Sequence, residues 1–195
     1  MLNKFTKYLT EFTISVYPEI TSDKAEQIEY GLYMIISDGI KLLAISLISL
    51  ILGIFNLSII AVIVFSLCKT YFGGAHANTQ IKCFMIHFIV IFSTVFVSQA
   101  ISSKILLLFF LVSGFLFYKF APADTLAKPI LTYKRWQELR IRGFVLLCIF
   151  FLVACIVPVC YANVITVIVF ICALNITPVA YKISNSKKGG MVNVK

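Results

Sequence analysis

The chain has 195 residues, of which 61% are apolar and only 13% carry a charged side chain. A water-soluble domain usually has about twice that charged fraction, so a soluble globular domain is excluded and a membrane protein with several spans is predicted. The net charge of +9 is spread over short segments and forms no basic stripe interleaved with aromatic residues, which argues against nucleic-acid binding.

The first predicted element is an amphipathic helix in residues 1–20. Its apolar residues recur every three or four positions and face away from its charged residues: Leu2, Phe5, Leu9, Phe12 and Val16 against Lys4, Lys7 and Glu11. This pattern is typical of a helix that lies in the membrane interface or packs on a membrane domain. Pro18 ends this helix, and Asp23 with Glu26 resembles a capping box that opens the next one.

Six apolar segments follow, and each is predicted to be a transmembrane helix. They are Ile36–Phe55, Leu57–Tyr71, Phe84–Ser102, Ile105–Tyr118, Gly143–Val159 and Val164–Tyr181. Several are shorter than the ~20 residues of a full crossing, and the second is compatible with a partly re-entrant segment. The sequence therefore predicts an all-α polytopic membrane protein with an interfacial helix (1–20), a six-helix membrane domain (21–182) and a polar tail (183–195).

The distribution of lysine and arginine predicts the orientation of these spans. Basic residues gather in segments 69–82 and 119–142 and in the tail, whereas the other three connections hold only Lys104. With six spans, every basic segment falls on the same side of the membrane. The positive-inside rule makes this side cytoplasmic, together with both termini.

The segment between the second and third spans, KTYFGGAHANTQIKC (69–83), concentrates residues suited to acyl-transfer chemistry. A thiolate at Cys83 is a strong nucleophile, and an imidazole at His76 can generate it and later protonate a leaving amine. Gly73 and Gly74 permit unusual backbone angles, and their amides are candidates for holding an oxyanion or supporting the backbone.

Helical spacing limits how His76 and Cys83 can meet. In one unbroken helix they would share a face but stand ~10.5 Å apart along the axis, which is too far for a hydrogen bond. A working dyad therefore requires the chain to leave the helix between them. His87 follows Cys83 by four residues and is the alternative partner on a helix. A metal site built from these three residues is disfavoured because no fourth ligand is evident.

These residues resemble a motif of the accessory gene regulator B (AgrB-like) family of membrane cysteine endopeptidases, which process quorum-sensing peptide precursors in Gram-positive bacteria. The family pattern is a basic residue, three residues, Gly-Gly, any residue, His, six residues and Cys. Lys69 stands where arginine is usual. APADTLAKPI (121–130) resembles the family's cytoplasmic segment after the fourth span, and IEYGLYMIISDGIKLL (28–43) resembles its entry to the first span.

The resemblance implies that Cys83 is the nucleophile and His76 its base. It further implies a thioester between Cys83 and the retained part of a small precursor, release of a C-terminal tail, and closure of a thiolactone or lactone ring by a group of the precursor. No metal or organic cofactor is implied. The implied partners are an AgrD-like precursor with an acidic C-terminal tail, membrane lipid and a second copy in a homodimer.

Further residues are candidates for orienting the dyad or binding substrate: Lys69, Asp124, Asp38, Lys128, Lys134 and Arg135. Asp124 is expected either to orient His76 or to organise its own loop, and Asp38 either to complete the dyad or to make a structural polar contact. The basic residues between 128 and 142 suit either an acidic precursor tail or anionic lipid. The alternative function is a non-enzymatic membrane transporter or peptide exporter, in which His76 and Cys83 only pack.

Overall fold

The computed structural model describes residues 2–17, 19–75, 79–102, 105–124, 130 and 132–184. The regular structure in these residues is helical, so the all-α class predicted from the sequence is confirmed for them. The helices are α1 (Leu2–Val16), α2 (Ser22–Ile51), α3 (Phe55–Phe72), α4 (Gln80–Ala100), α5 (Leu106–Phe120), α6 (Tyr133–Ile156), α7 (Val159–Asn175) and α8 (Pro178–Ile183).

Four segments in the described residues are long and apolar enough to cross a membrane: α2, α3, residues Ile81–Ala100 of α4, and α6. Helices α5 and α7 are apolar but shorter, with 15 and 17 residues. Helix α6 begins at Tyr133, well before the predicted span that starts at Gly143. The reason is that Thr132 caps the helix by accepting a hydrogen bond from the Arg135 amide, so the basic residues of the first turns are helical too.

The chain divides into two compact units, Met1–Ile48 and Ser49–Lys195. The first unit contains α1 and most of α2. On α2, Asp38 and Lys41 stand one turn apart and form an ion pair with 2.8 Å between Oδ1 and Nζ. An ion pair lowers the cost of keeping charges on an apolar helix, so the structural polar contact expected for Asp38 is present. The second unit contains α3 to α8.

Helix α7 is the centre of the second unit, where it packs against α3, α4, α5 and α6. Its residues from Ala162 to Val169 are all buried. A helix that is apolar on every side is typical of a core position. Helix α6, in contrast, fully buries only the single stripe Gly143, Leu147 and Phe150, and several of its other apolar side chains, such as Val145 and Leu152, are exposed.

Helices α3, α4 and α7 alternate in direction. Near the start of α7, Asn163 donates Nδ2 hydrogen bonds of 2.9 and 3.1 Å to the carbonyls of Ser98 and Ile101 at the end of α4. At the opposite end, Lys69 in the last turn of α3 contacts Asn175, the last residue of α7. Helices α3 and α7 therefore run in one direction and α4 in the other. The end of the unit that contains Lys69 and Asn175 is called the loop end below.

An aromatic cluster brings α5 and α6 to the same end. Phe72, at the end of α3, stacks on Phe117 of α5 at 3.8 Å between ring centroids and meets Phe144 of α6 edge-on at 6.3 Å. Phe117 lies near the end of α5 and Phe144 near the start of α6, so these two helices also run in opposite directions. The described basic residues of the second unit all lie at or near the loop end: Lys69, Lys82, Lys119, Lys134, Arg135, Arg140, Arg142 and Lys182.

The close contact between Phe72 and Gly143 generates a first prediction. A Cβ at Gly143 would lie 2.6 Å from Cε1 of Phe72, whose side chain is fully buried. Gly143→Ala is therefore expected to destabilise the protein by about 1–3 kcal/mol through overpacking. The measurement is the apparent melting temperature of the purified chain in detergent.

Gly114→Ala is the matched control on α5, because a Cβ there would meet Leu147 Cδ2 at 3.8 Å, an ordinary contact. This control is expected to melt at or above the temperature of the wild type, since alanine is the better helix former. Equal melting temperatures for the two variants would contradict the packing described here.

Candidate active site

Cys83 lies in the first turn of α4, at the loop end of the second unit. Thr79 caps this helix: its Oγ1 accepts from the Lys82 amide at 3.4 Å, and its carbonyl accepts from the Cys83 amide at 2.9 Å. The cysteine is half-buried. The N-terminal turn of a helix carries partial positive charge and favours nearby anions, so this is a suitable position for a reactive thiolate.

The Gly-Gly pair begins the connection between α3 and α4. Helix α3 ends at Phe72 and α4 begins at Gln80, so the break in the helix that the dyad requires is present. Gly73 has φ +73° and Gly74 has φ +123°. Side chains strongly disfavour these backbone angles, which explains why two glycines stand here.

The Gly-Gly pair is joined by main-chain hydrogen bonds to the segment that follows α5. The Gly74 amide donates to the Ala123 carbonyl at 3.2 Å, and the Ala123 amide donates to the Phe72 carbonyl at 2.8 Å. Gly73 and Ala123 form an isolated parallel β-bridge. The approach is so close that a Cβ on Gly73 would overlap the Ala123 carbonyl oxygen. Two motifs that lie about fifty residues apart in the sequence (73–74 and 121–124) are therefore a single structural feature.

Both glycine amides are occupied in this arrangement. The Gly73 amide donates to the Lys69 carbonyl at 3.2 Å, and the Gly74 amide donates to Ala123. An oxyanion would have to displace these carbonyls to reach either donor. Of the two roles expected for the glycines, backbone support is the one that these hydrogen bonds favour.

Lys69 connects three parts of the loop end. Its Nζ donates to the Ala75 carbonyl and to Asn175 Oδ1, both at 3.0 Å. The Asn175 carbonyl also accepts from the Ala75 amide at 3.2 Å. A Cβ on Gly74 would lie 2.8 Å from Asn175 Oδ1 and 3.1 Å from Lys69 Nζ, so glycine is needed for this approach. Lys69, Ala75 and Asn175 are called the lysine clamp below.

The clamp holds a positive charge at the loop end, the end of the unit at which Cys83 also lies. A cation close to a cysteine stabilises its thiolate more in a poorly solvated site than in water. Lys69 is therefore a candidate for electrostatic support of the nucleophile, in addition to its contacts with the loop.

Asp124 and Tyr181 fix the other side of the 121–124 segment. The Tyr181 hydroxyl donates to the Asp124 carbonyl at 2.8 Å. Burial, assisted by the nearby Asp124 charge, raises the pKa of Tyr181 to about 12, so the hydroxyl stays protonated and keeps donating. The Asp124 carboxylate has one buried oxygen, Oδ2, with no hydrogen-bond partner among the described residues. A buried unpaired carboxylate oxygen is costly and is typical of a functional position.

Of the two histidines, the structure describes His87 and does not describe His76. His76 lies outside the described residues, as does the candidate Lys128. His87 stands one turn after Cys83 on α4, and its ring meets Phe65 of α3 edge-on at 4.7 Å between centroids. The variants described below test whether His76 or His87 is the base.

The start of α6 presents the basic residues expected to meet an acidic tail or lipid. Lys134 and Arg135 are exposed in its first turn, and Arg135 pairs with Glu138 at 3.5 Å. The Arg140 guanidinium lies over the rings of Tyr118 and Trp136, at 5.1 and 4.8 Å from their centroids, and donates to the Tyr118 carbonyl at 3.1 Å. Arg140 is therefore tied to the end of α5, whereas Lys134 and Arg135 are directed to the surroundings.

Sequence reasoning missed Asn175 and Tyr181 as parts of this site. The sequence places both residues only inside the last predicted span, Val164–Tyr181. One signal was available, because a polar amide at the end of an apolar helix needs a hydrogen-bond partner. The identity of that partner depends on which helices meet, and local sequence does not contain this information.

Together, these features define a protein whose described residues form apolar helices suited to a membrane, with a cysteine in the first turn of one helix and a clamped Gly-Gly loop at the same end. A family model described as Accessory gene regulator B matches residues 2–177. The chain therefore belongs to the accessory gene regulator B family.

Individual relatives agree with this assignment. The accessory gene regulator protein B of Staphylococcus intermedius is 27% identical over 155 residues, which cover 78% of this chain and 82% of the relative. The protein of the same name from Staphylococcus aureus (strain MW2) is 24% identical over 184 residues, or 92% of this chain and 98% of the relative. An AgrB-like protein of Clostridium perfringens (strain SM101 / Type A) is 26% identical over 172 residues, or 84% and 80%. No solved structure matches the chain.

The glycine geometry gives a second prediction. Gly73→Ala is expected to lower the apparent melting temperature strongly, because the new Cβ overlaps the Ala123 carbonyl in addition to the strain of a positive φ. Gly53→Ala is the matched control: Gly53 has φ +69°, but a Cβ there meets nothing within 4 Å. The control should show only the left-handed strain, about 1–2 kcal/mol. If both variants melt at the same temperature, the pairing of Gly73 with Ala123 is wrong.

Proposed function

We propose that this chain is a membrane cysteine endopeptidase that processes the precursor of a quorum-sensing peptide. The proposal is supported by membership of the accessory gene regulator B family over residues 2–177. The observation that carries it is that Cys83, in the first turn of α4, lies at the same end of the helical unit as the clamped Gly-Gly loop. His76 follows Ala75 directly in the chain, so the proposed base is the residue next to the part of the loop that the clamp holds.

The proposed reaction is acyl transfer to the Cys83 sulfur. The thiolate attacks the scissile carbonyl of the precursor and forms a tetrahedral intermediate, and its C–N bond then breaks. His76, which took a proton from Cys83 when the thiolate formed, gives this proton to the leaving amine, and the amine departs with the C-terminal tail. The retained part stays on Cys83 as a thioester. A thiol or hydroxyl of the precursor attacks this thioester, closes a thiolactone or lactone ring and returns the free thiol to the enzyme.

This route requires that water be kept from the thioester long enough for cyclisation. Support comes from the half-buried position of Cys83 in the first turn of the apolar helix α4. The Lys69 ammonium, held by two hydrogen bonds at this end of the unit, is the proposed support for the negative charge that develops during attack. Asp124, with a buried carboxylate oxygen beside the loop, is the proposed orienting group for His76.

The proposed topology places the loop end in the cytoplasm. It comprises an interfacial helix in residues 1–20, a six-span peptidase domain in 21–182 and a cytoplasmic tail in 183–195. The gathering of the described basic residues of the second unit at the loop end supports this orientation by the positive-inside rule. The exposed Lys134 and Arg135 are then available on the cytoplasmic side, either to an acidic precursor tail or to anionic lipid. The homodimer implied by the family resemblance belongs to this proposal.

The catalytic assignment is tested by co-expressing a candidate precursor that carries a C-terminal epitope tag with variants of the chain. Cys83→Ser and His76→Ala are expected to abolish release of the tagged tail, and His87→Ala is expected to retain it. The physical reason is that removal of the nucleophile or of its base eliminates the acyl-transfer step. Immunoblotting of membranes measures the ratio of cleaved to intact precursor.

Other outcomes have definite meanings. Full processing by Cys83→Ser would remove the peptidase function and favour the transporter or exporter. Processing that is lost in His87→Ala and kept in His76→Ala would assign the base to His87.

The orientation is tested by single-cysteine labelling in a chain whose six cysteines are replaced. A cysteine introduced at Ser184, after α8, is expected to react with a membrane-impermeant maleimide only after the cells are permeabilised. A cysteine introduced at Ser102, after α4, is the matched control and is expected to react in intact cells. The reverse pattern would invert the topology.

A further inference from the structure

The final turn of α7 contains a polar residue to which neither the motif nor the proposed reaction assigns a role. Asn175 contacts the catalytic loop twice. Its side-chain Oδ1 accepts from Lys69 Nζ at 3.0 Å, and its main-chain carbonyl accepts from the Ala75 amide at 3.2 Å. Carbonyls at the C-terminal end of a helix have no partner within that helix, so Ala75 satisfies one of them.

The two contacts close a ring of hydrogen bonds. Lys69 also donates to the Ala75 carbonyl at 3.0 Å, so both the amide and the carbonyl of Ala75 are held by the clamp. With both its polar main-chain groups bonded, the residue before His76 has little freedom to rotate. Gly74 makes this possible, because any side chain there would strike Asn175 Oδ1.

The side chain of Asn175 also determines where the ammonium rests. Lysine has a long side chain with many rotamers, and a single acceptor would leave its position poorly defined. Two acceptors from different elements, Ala75 and Asn175, restrict Nζ to one location. This location is at the loop end, where α4 begins with Cys83 in its first turn.

We propose that Asn175 is a positioning residue of the active site. Its side chain holds the Lys69 ammonium at the end of the unit where Cys83 lies, and its main chain anchors the loop that leads to His76. Through Asn175, helix α7 thereby positions the Lys69 ammonium relative to the loop that carries His76. This inference rests on the proposed peptidase function.

The experiment uses the full-length chain reconstituted in lipid vesicles with the synthetic precursor peptide as substrate. Asn175→Leu removes the acceptor at similar volume and leaves the main-chain bond to Ala75 in place, so the variant is expected to fold. It should lower kcat for tail release about tenfold or more with KM little changed, because small misplacements of catalytic groups are costly. Asn175→Asp retains the acceptor and should restore most of this loss. Asn175→Ala serves as the second variant if the leucine fails to accumulate.

Two controls on the same helix separate positioning from general stability. Asn163→Leu removes a buried amide at the far end of α7, and Thr166→Val removes a buried hydroxyl that bonds only within the helix. Both should process the precursor at the wild-type rate per folded molecule, whatever their melting temperatures. A kcat for Asn175→Leu equal to that of Asn163→Leu would overturn the proposal.

A double-mutant cycle tests the link to the lysine. The single variant Lys69→Met and the double variant Lys69→Met/Asn175→Leu should have the same kcat. Asn175→Leu keeps the main-chain bond to Ala75 and removes only the side-chain contact with the ammonium, so it should have no further effect when the ammonium is already absent. If the effects of the two substitutions multiply, Asn175 does not act through Lys69 and the proposal fails.

Alkylation of Cys83 by iodoacetamide at neutral pH, followed by mass spectrometry of its peptide, provides a readout that needs no substrate. Asn175→Leu and Lys69→Met should both slow this reaction, and Asn163→Leu should not. Processing by Cys83→Ser would refute the peptidase, but the alkylation rates would still test the positioning of Lys69. Unchanged alkylation in Asn175→Leu would refute the positioning even in an active peptidase.

Discussion

The structure of the loop end depends on one ammonium group, that of Lys69, which donates hydrogen bonds to two separate elements. Lys69 Nζ lies between the Ala75 carbonyl and the Asn175 amide oxygen, and these contacts join the end of α3, the Gly-Gly loop and the end of α7. In a poorly solvated environment an unpaired charge is costly, so the ammonium must find acceptors, and the available acceptors come from different elements. The need to satisfy one charge thus fixes the loop that precedes the candidate catalytic histidine.

The two glycines have separate functions in this arrangement. Gly73 allows the backbone to approach Ala123, which ties the loop to the segment after α5. Gly74 leaves room for the contact between Lys69 and Asn175. Substitution at either position would disturb a different partner, so a requirement for both glycines follows from packing alone. Their amides are already bonded to the Lys69 and Ala123 carbonyls.

Lysine at this position also fits the chemistry of the site. In the family pattern arginine is usual here, and a planar guanidinium makes forked contacts with oxygen pairs. The compact ammonium of Lys69 instead reaches two acceptors that lie on separate elements. A point charge of this kind can satisfy the loop and the end of α7 at the same time. The departure from the family pattern thus changes the shape of the contact and preserves the charge.

The sequence by itself determined the membrane class, the helical structure of the described residues, the break between α3 and α4, and the family, through apolar periodicity and the spacing of a few motif residues. These properties are local, because hydrophobic length and glycine angles act within one segment. Tertiary structure decided that Ala123 pairs with the Gly-Gly loop, that Tyr181 supports Asp124, and that Asn175 completes the lysine clamp. Each of these contacts joins residues that lie about fifty or more positions apart. Their formation depends on the packing of α7 among its neighbours, and no local pattern in the sequence encodes that packing.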